Sequence, residues 1–158
     1  MKELNLIPIG YVKSKDGSFS IELKKEYIPA LKEVDSFSHI NVLWWFNDFE
    51  GEEYRSILET NSPYKNSPET MGIFATRSPI RPNPIALTAC QIIDMDIANG
   101  RIYLGYIDAN DGSPVLDIKP YTPSFDIVSE FETPKWCANW PKNMEDSAEF
   151  DWQSVFNF

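Results

Sequence analysis

One stretch of nine residues concentrates chemistry that most of the chain lacks. From Thr76 to Pro84 the sequence reads TRSPIRPNP, which sets two of the chain's four arginines, Arg77 and Arg81, among Pro79, Pro82 and Pro84. Proline fixes its own φ and drives the preceding residue, here Ser78, Arg81 and Asn83, toward extended geometry, so the segment is stiff. Two guanidinium forks held in a fixed relation suit a carboxylate or a phosphate, and a rigid loop loses little entropy when it grips one. Asn83 adds an amide that both donates and accepts. A plainer reading fits the same residues: prolines protect a sheet edge and arginines pair with surplus acids. The residues alone leave both open.

A second cluster lies at DANDGSPVLDIKPY, residues 108 to 121, which holds Asp108, Asp111, Asp117, Lys119 and Tyr121. Asp111-Gly112 is a turn pair, and Asp108 and Asp117 have ordinary uses as caps or ion-pair partners. Gathered at one place, the same groups could orient an amine, take a proton or balance a cationic ligand. His39 is the only histidine and stands beside Ser38. Neighbours on a strand point to opposite faces, so a Ser–His catalytic pair is not expected, and His39 reads as a histidine hydrogen-bonded near the core or rim. One histidine and two distant cysteines, Cys90 and Cys137, do not make a metal's ligand set, and both cysteines are expected to be reduced. Neither GxGxxG nor a P-loop occurs, which disfavours the common nucleotide folds.

These clusters need a framework, and the hydrophobic pattern supplies strands. LNLIPIGYVK (4 to 13) and SFSIELKK (18 to 25) flank a KDG turn signal, and Phe19, Ile21 and Leu23 alternate with polar neighbours, as in a half-buried hairpin strand. A helical turn is expected within 28 to 37, a buried strand over 39 to 46, a short helix within 48 to 59, a loop through TNSPYKNSPET and a strand over 71 to 76. PIALTACQIIDMD (84 to 96) alternates Ile85, Leu87 and Ala89 with polar or small residues and turns at Asn99-Gly100 into RIYLGYID (101 to 108). A last strand is expected at 115 to 121. Closely spaced strands with few helices favour a mainly β fold, a small closed barrel whose closure removes exposed edges.

The chain has 158 residues, enough for one core, and its 10 Phe, 7 Tyr and 5 Trp exclude a disordered chain. A net charge of −10 repels polyanions, so any contact with RNA must be local. No apolar run reaches membrane-spanning length, and MKELNLIPIG lacks the apolar core of a secretion signal; a cytoplasmic protein without membrane or metal partners is expected. The tail, 127 to 158, differs from the rest: irregular, broken by Pro134 and Pro141, and rich in aromatics, it must pack on the barrel or on a second subunit to cover its apolar area.

PIGYVKS, FSHINVLWWF, TRSPIRPNPIALT and DGSPVLDIKPYTPSFD together resemble the TrmO family of S-adenosylmethionine-dependent tRNA methyltransferases, over roughly residues 6 to 126. The resemblance implies a β-barrel of six or seven mostly antiparallel strands, a homodimer with its S-adenosyl-L-methionine pocket near the subunit boundary, and methylation of the exocyclic amino nitrogen of threonylcarbamoyl-adenosine beside the tRNA anticodon. It implies cofactor-binding roles for Ser38, His39, Arg77, Arg81, Asn83, Pro84, Asp108 and Gly112. Asp111, Asp117, Lys119 and Tyr121 fall in the catalytic region, with Asp111 or Asp117 as the expected base, and Asp126 matches the acid after the tyrosine motif. The alternatives are a methyltransferase of this fold with a small-molecule acceptor and a cofactor-binding module without catalysis.

Overall fold

In a computed structural model, which describes residues 4–158, six strands close into an antiparallel barrel. They are β1 (Gly10–Lys15), β2 (Ser18–Leu23), β3 (His39–Trp45), β6 (Ile85–Asp96), β7 (Arg101–Leu104) and β8 (Pro114–Pro120), in the order β1-β2-β7-β6-β3-β8. Two short strands, β4 (Glu59–Asn61) and β5 (Thr70–Gly72), form a separate ribbon. The helices are brief: α1 (Glu52–Arg55), α2 (Pro123–Asp126) and α3 (Met144–Glu149), with 3-10 turns between elements.

The first hairpin forms because Asp16 and Gly17 both adopt positive φ, 52° and 77°, which lets a two-residue turn follow the strand twist and pair Lys15 with Ser18. β1 begins later than the apolar run suggests. Pro8 has no N–H to give a ladder, and Leu4, Leu6 and Ile7 lie exposed before the strand. The segment expected as strand at 71 to 76 pairs only over Thr70–Gly72 and then coils into a 3-10 turn at Ile73–Ala75. TNSPYKNSPET is the connection of this ribbon, and its ends are paired rather than loose. β7 stops at Leu104, short of the expected 108.

One expectation about strand faces needs correction, and the alternation of a second strand acquires its direction. The strand at 39 to 46 is half-buried, with Ile40, Val42 and Trp44 inside and His39, Asn41, Leu43 and Trp45 outside. In β6 the large residues Ile85 and Leu87 point outward, while Ala86 and Cys90 fill the interior. A six-stranded barrel has little room inside, and β3 has already put an indole there: Trp44 pairs across the ladder with Ala86, and its Nε1 donates to Thr88 Oγ1 at 3.0 Å. Small therefore faces large, and the bulky apolar residues of β6 are left on the outer surface.

The interior, built on Val12, Ile21, Ile40, Val42, Ile102 and Val115, is fully closed to solvent. Cys90 lies in it, and burial pushes its thiol up to about 12. A thiol reagent at pH 8 should therefore titrate one of the two cysteines in the native protein, half-buried Cys137, and both after denaturation. Where β1 closes on β2, a Cβ at Gly10 would collide with the Glu22 carbonyl oxygen and lie 2.9 Å from Leu23 Cα. Gly10→Ala should cost about 2 kcal/mol in a urea unfolding titration, because backbone cannot give way as a side chain can.

Candidate functional site

The outward residues of β3 and β6 form the floor of a cleft of about 1580 Å³. Over that floor stand the proline-rich loop, the end of β8 with α2, and part of the tail. From the loop come Arg77, Arg81 and Asn83; from the floor His39, Asn41, Ile85 and Leu87; from the acidic segment Asp108, Tyr121 and Asp126.

The loop is held by more than its prolines. Thr76 Oγ1 donates to Ile73 O at 2.8 Å and accepts the Ser78 N–H at 3.2 Å, and Ser78 Oγ accepts the Ile80 N–H at 3.2 Å. Arg81 folds back on its own loop, its Nη1 donating to Thr76 O and Ser78 O, each at 3.3 Å. Pro84 is buried beneath, and its carbonyl accepts the Phe46 N–H at 2.8 Å, so it anchors the loop instead of lining the cleft. Among the described residues Arg77 makes no ion pair and no side-chain hydrogen bond, and neither loop arginine pairs with an acid. Of the two guanidinium groups, one braces and one is left for a ligand.

A third arginine completes the brace. Trp44, Phe46, Phe49 and Tyr54 pack ring to ring at 4.4, 6.5 and 5.4 Å, which seats α1 on the end of the barrel. At the end of α1, Arg55 donates from Nε to Pro82 O at 2.7 Å and from Nη2 to Asn83 Oδ1 at 3.2 Å, and it lies over the Trp45 ring. The carbonyl of Asn83 is thereby engaged and its NH₂ remains for a ligand. Sequence reasoning missed Arg55, although it is one of only four arginines, because nothing local links α1 to a loop nearly thirty residues later.

The other expected residues divide. Ser38 lies just before β3, where strand alternation does not govern it, and its Oγ is 2.9 Å from His39 Nδ1; the expectation that the two point apart is corrected. Tyr121 N–H donates to His39 O at 3.1 Å, and their rings are 6.1 Å apart. Asp126 is spent on structure, accepting from Asn41 Nδ2 at 2.8 Å and from Thr122 N at 2.6 Å, and so ties α2 to the barrel wall. Asp111 and Gly112 stand apart from the cleft, bonded to β1 through Ser14 N–H to Asp111 Oδ1 at 3.0 Å and Gly112 N–H to Val12 O at 2.8 Å. Asp117 and Lys119 form an ion pair of 2.7 Å on the outer face of β8, with Lys119 paired across the ladder with Asn41, and the carboxylate holds the lysine above its ordinary range. Asp108 is exposed in the cleft and accepts from Tyr106 Oη at 3.4 Å. Burial first, and Asp108 second, push the Tyr106 hydroxyl up, so it stays a donor.

This grouping has counterparts. Residues 1–127 match the family of the tRNA-methyltransferase O N-terminal domain. The chain belongs to the TrmO family. An S-adenosyl-L-methionine-binding protein of Archaeoglobus fulgidus is 36% identical over 141 residues, covering 80% of this chain and 96% of its own. A tRNA (adenine(37)-N6)-methyltransferase of Eikenella corrodens is 42% identical over 89 residues, 56% of this chain and 49% of the enzyme. The crystal structure of TrmO from Pseudomonas aeruginosa superposes with a TM-score of 0.65 at 27% identity, over 85% of this chain and 62% of that one. The chain thus spans about half of the Eikenella enzyme and less than two thirds of the Pseudomonas structure. Within the TrmO family match lie all the motif residues above; the tail from residue 128 lies outside it.

Arg55→Met should lower stability by only about 1 kcal/mol, since its hydrogen bonds are exposed, while amide exchange over residues 80 to 86 speeds up markedly. Exchange read by mass spectrometry, beside a urea titration, checks both parts.

Proposed function

We propose that this chain uses S-adenosylmethionine to methylate the exocyclic amino nitrogen of threonylcarbamoyl-adenosine beside the tRNA anticodon. The observation that carries the reading is the convergence of three separate TrmO motifs, those of Arg77, His39 and Tyr121, on one cleft. The residues present suit the cofactor. Arg77, with no partner of its own among the described residues, can grip a carboxylate bidentately, and the Asn83 NH₂, left unengaged by Arg55, belongs to the same cleft. Ile85, Leu87 and Phe74 offer an apolar floor for an adenine, and Asp108 tolerates a nearby cation. When bound, the cofactor supplies a methyl group on a positively charged sulfur that departs as a neutral thioether.

The chain's own residues must then align the acceptor nitrogen and remove its proton. Asp111 is occupied with Ser14 and Asp117 with Lys119, so Asp108 is the acid we assign as base, held by the still-protonated Tyr106 hydroxyl. Alignment within about 3 to 3.5 Å does much of the rest. Exposed Phe74 and Val128 at the cleft, 77% and 67% accessible, support association of two copies, as the TrmO resemblance implies. A second reading, a small-molecule acceptor handled by the same fold, is favoured by the tail, where Glu130, Glu132, Glu145, Asp146, Glu149 and Asp151 outnumber Lys135 and Lys142.

Nucleoside mass spectrometry of tRNA from cells with and without this protein should show the methylated threonylcarbamoyl-adenosine only in its presence; unchanged levels would pass the assignment to the second reading. Arg77→Met should weaken cofactor binding by calorimetry roughly tenfold to a hundredfold, the value of charge-assisted hydrogen bonds. Asp108→Asn should lower single-turnover rates about 10²-fold or more at saturating cofactor, whereas Asp111→Asn should stay near wild type.

A further inference from the structure

Three of the four TrmO motifs meet in the cleft, but the fourth, PIGYVKS, enters β1, where Tyr11 and Lys13 point outward. From Gly10 to Lys25 the chain sets four lysines against two acids, although its net charge is −10. Val12 faces the interior, so Tyr11, Lys13 and Lys15 share the outer face of β1, successive side chains about 7 Å apart. Lys24 Nζ lies over the Tyr11 ring at 5.8 Å and joins that face. Across the ladder Lys13 meets Ser20 and Lys15 meets Ser18, while Glu22, opposite Tyr11, is taken by Arg101. No acid therefore stands opposite either lysine, and among the described residues neither makes an ion pair. Of the acids close by, Asp16 occupies the turn and Asp111 accepts the Ser14 N–H.

This cationic row adjoins the segment that carries Asp108. Gly112 N–H donates to Val12 O at 2.8 Å and Ser14 N–H to Asp111 Oδ1 at 3.0 Å, which joins β1 to that segment. From β2, Phe19 packs edge-on against Tyr106 at 5.3 Å, and Tyr106 is the donor to Asp108.

We infer that Lys13 and Lys15, with Lys24 behind them, grip the phosphate backbone of the RNA substrate beside its target nucleotide. The inference rests on reading the cleft as the site of a tRNA nucleotide. A strongly acidic chain repels a polyanion from most of its surface, so its hold on RNA has to come from a short cationic stretch next to the chemistry. The first hairpin is such a stretch, and its lysines are unspent. The loop arginines do not fill this part: Arg77 is the grip for the cofactor carboxylate, and Arg81 is bonded to carbonyls of its own loop. Lysine suits the task, since a point charge on a flexible stem follows a phosphate backbone and fixes its position without reading sequence.

Fluorescence anisotropy tests this on the full chain, with a tRNA anticodon stem-loop carrying threonylcarbamoyl-adenosine titrated across a salt series. In a single-stranded loop each phosphate contact contributes about 0.7 to the slope of log K against log salt, or about fivefold in affinity at about 0.1 M salt. Lys13→Gln combined with Lys15→Gln should therefore weaken binding about 25-fold at that salt and flatten the slope by about 1.4. Lys13→Arg with Lys15→Arg should keep most of both. Lys32→Gln with Lys135→Gln, which removes the same charge from exposed sites outside the hairpin, should change them far less. Calorimetry with S-adenosylmethionine should give wild-type affinity for the hairpin pair, which shows its fold and cofactor site intact. RNA binding that the hairpin pair leaves untouched, as when the lysines only keep another strand off a short seam, overturns the inference, and so does a loss equalled by the control pair. Either result leaves the methyltransferase reading standing. Wild-type protein that binds S-adenosylmethionine but transfers no methyl group to this RNA removes that reading and the inference with it.

Discussion

The pairing of Trp44 with Ala86 across β3 and β6 decides which residues face the cleft. Strand side chains alternate with period two, so a slip of one residue along this ladder would turn every side chain of β6 over. The indole inside the barrel, bonded to Thr88, permits only small residues opposite it, and Ile85 and Leu87 are forced outside. An apolar outer face is ordinarily a liability. Here it is the floor on which the arginine loop and the end of β8 converge, so the packing rule of a narrow barrel also creates the surface its chemistry uses.

Above that floor the structure separates rigidity from recognition. Arg81, Arg55 and Pro84 spend their hydrogen-bonding capacity, or their bulk, on the loop itself, and Asp126 does the same for α2. Arg77, the Asn83 amide and Asp108 keep capacity in reserve. A cluster of charged residues in a sequence is therefore a poor count of ligand contacts, since about half of such groups here hold backbone in place.

The barrel was legible because its strands are short, alternating and punctuated by turn chemistry: Asp16-Gly17 and Asn99-Gly100 read correctly as reversals, with Gly100 taking the positive φ that such a reversal requires. What failed were statements that depend on tertiary packing. Alternation in β6 was visible, but which parity faced inward was set by Trp44 on another strand. The motifs of Arg77, His39 and Tyr121 were visible as clusters and do share a cleft, while Asp111 belongs to β1, a contact spanning ninety-seven positions that no local pattern encodes. Arg55 escaped notice for the same reason: it acts on a loop far along the chain, through bonds that no local pattern encodes.

The barrel also has an uneven circumference. β1 and β8 meet through only two residue pairs, Gly10 with Val115 and Tyr11 with Pro114, whereas β3 pairs with β6 along the whole of its own length. Local opening follows the thinnest ladder, so the cylinder should breathe along the β1–β8 seam, like a cuff unbuttoned on one side. The cleft floor is carried by the longer β3–β6 ladder. Thermal motion can then split the wall repeatedly while the surface that greets a ligand keeps its shape.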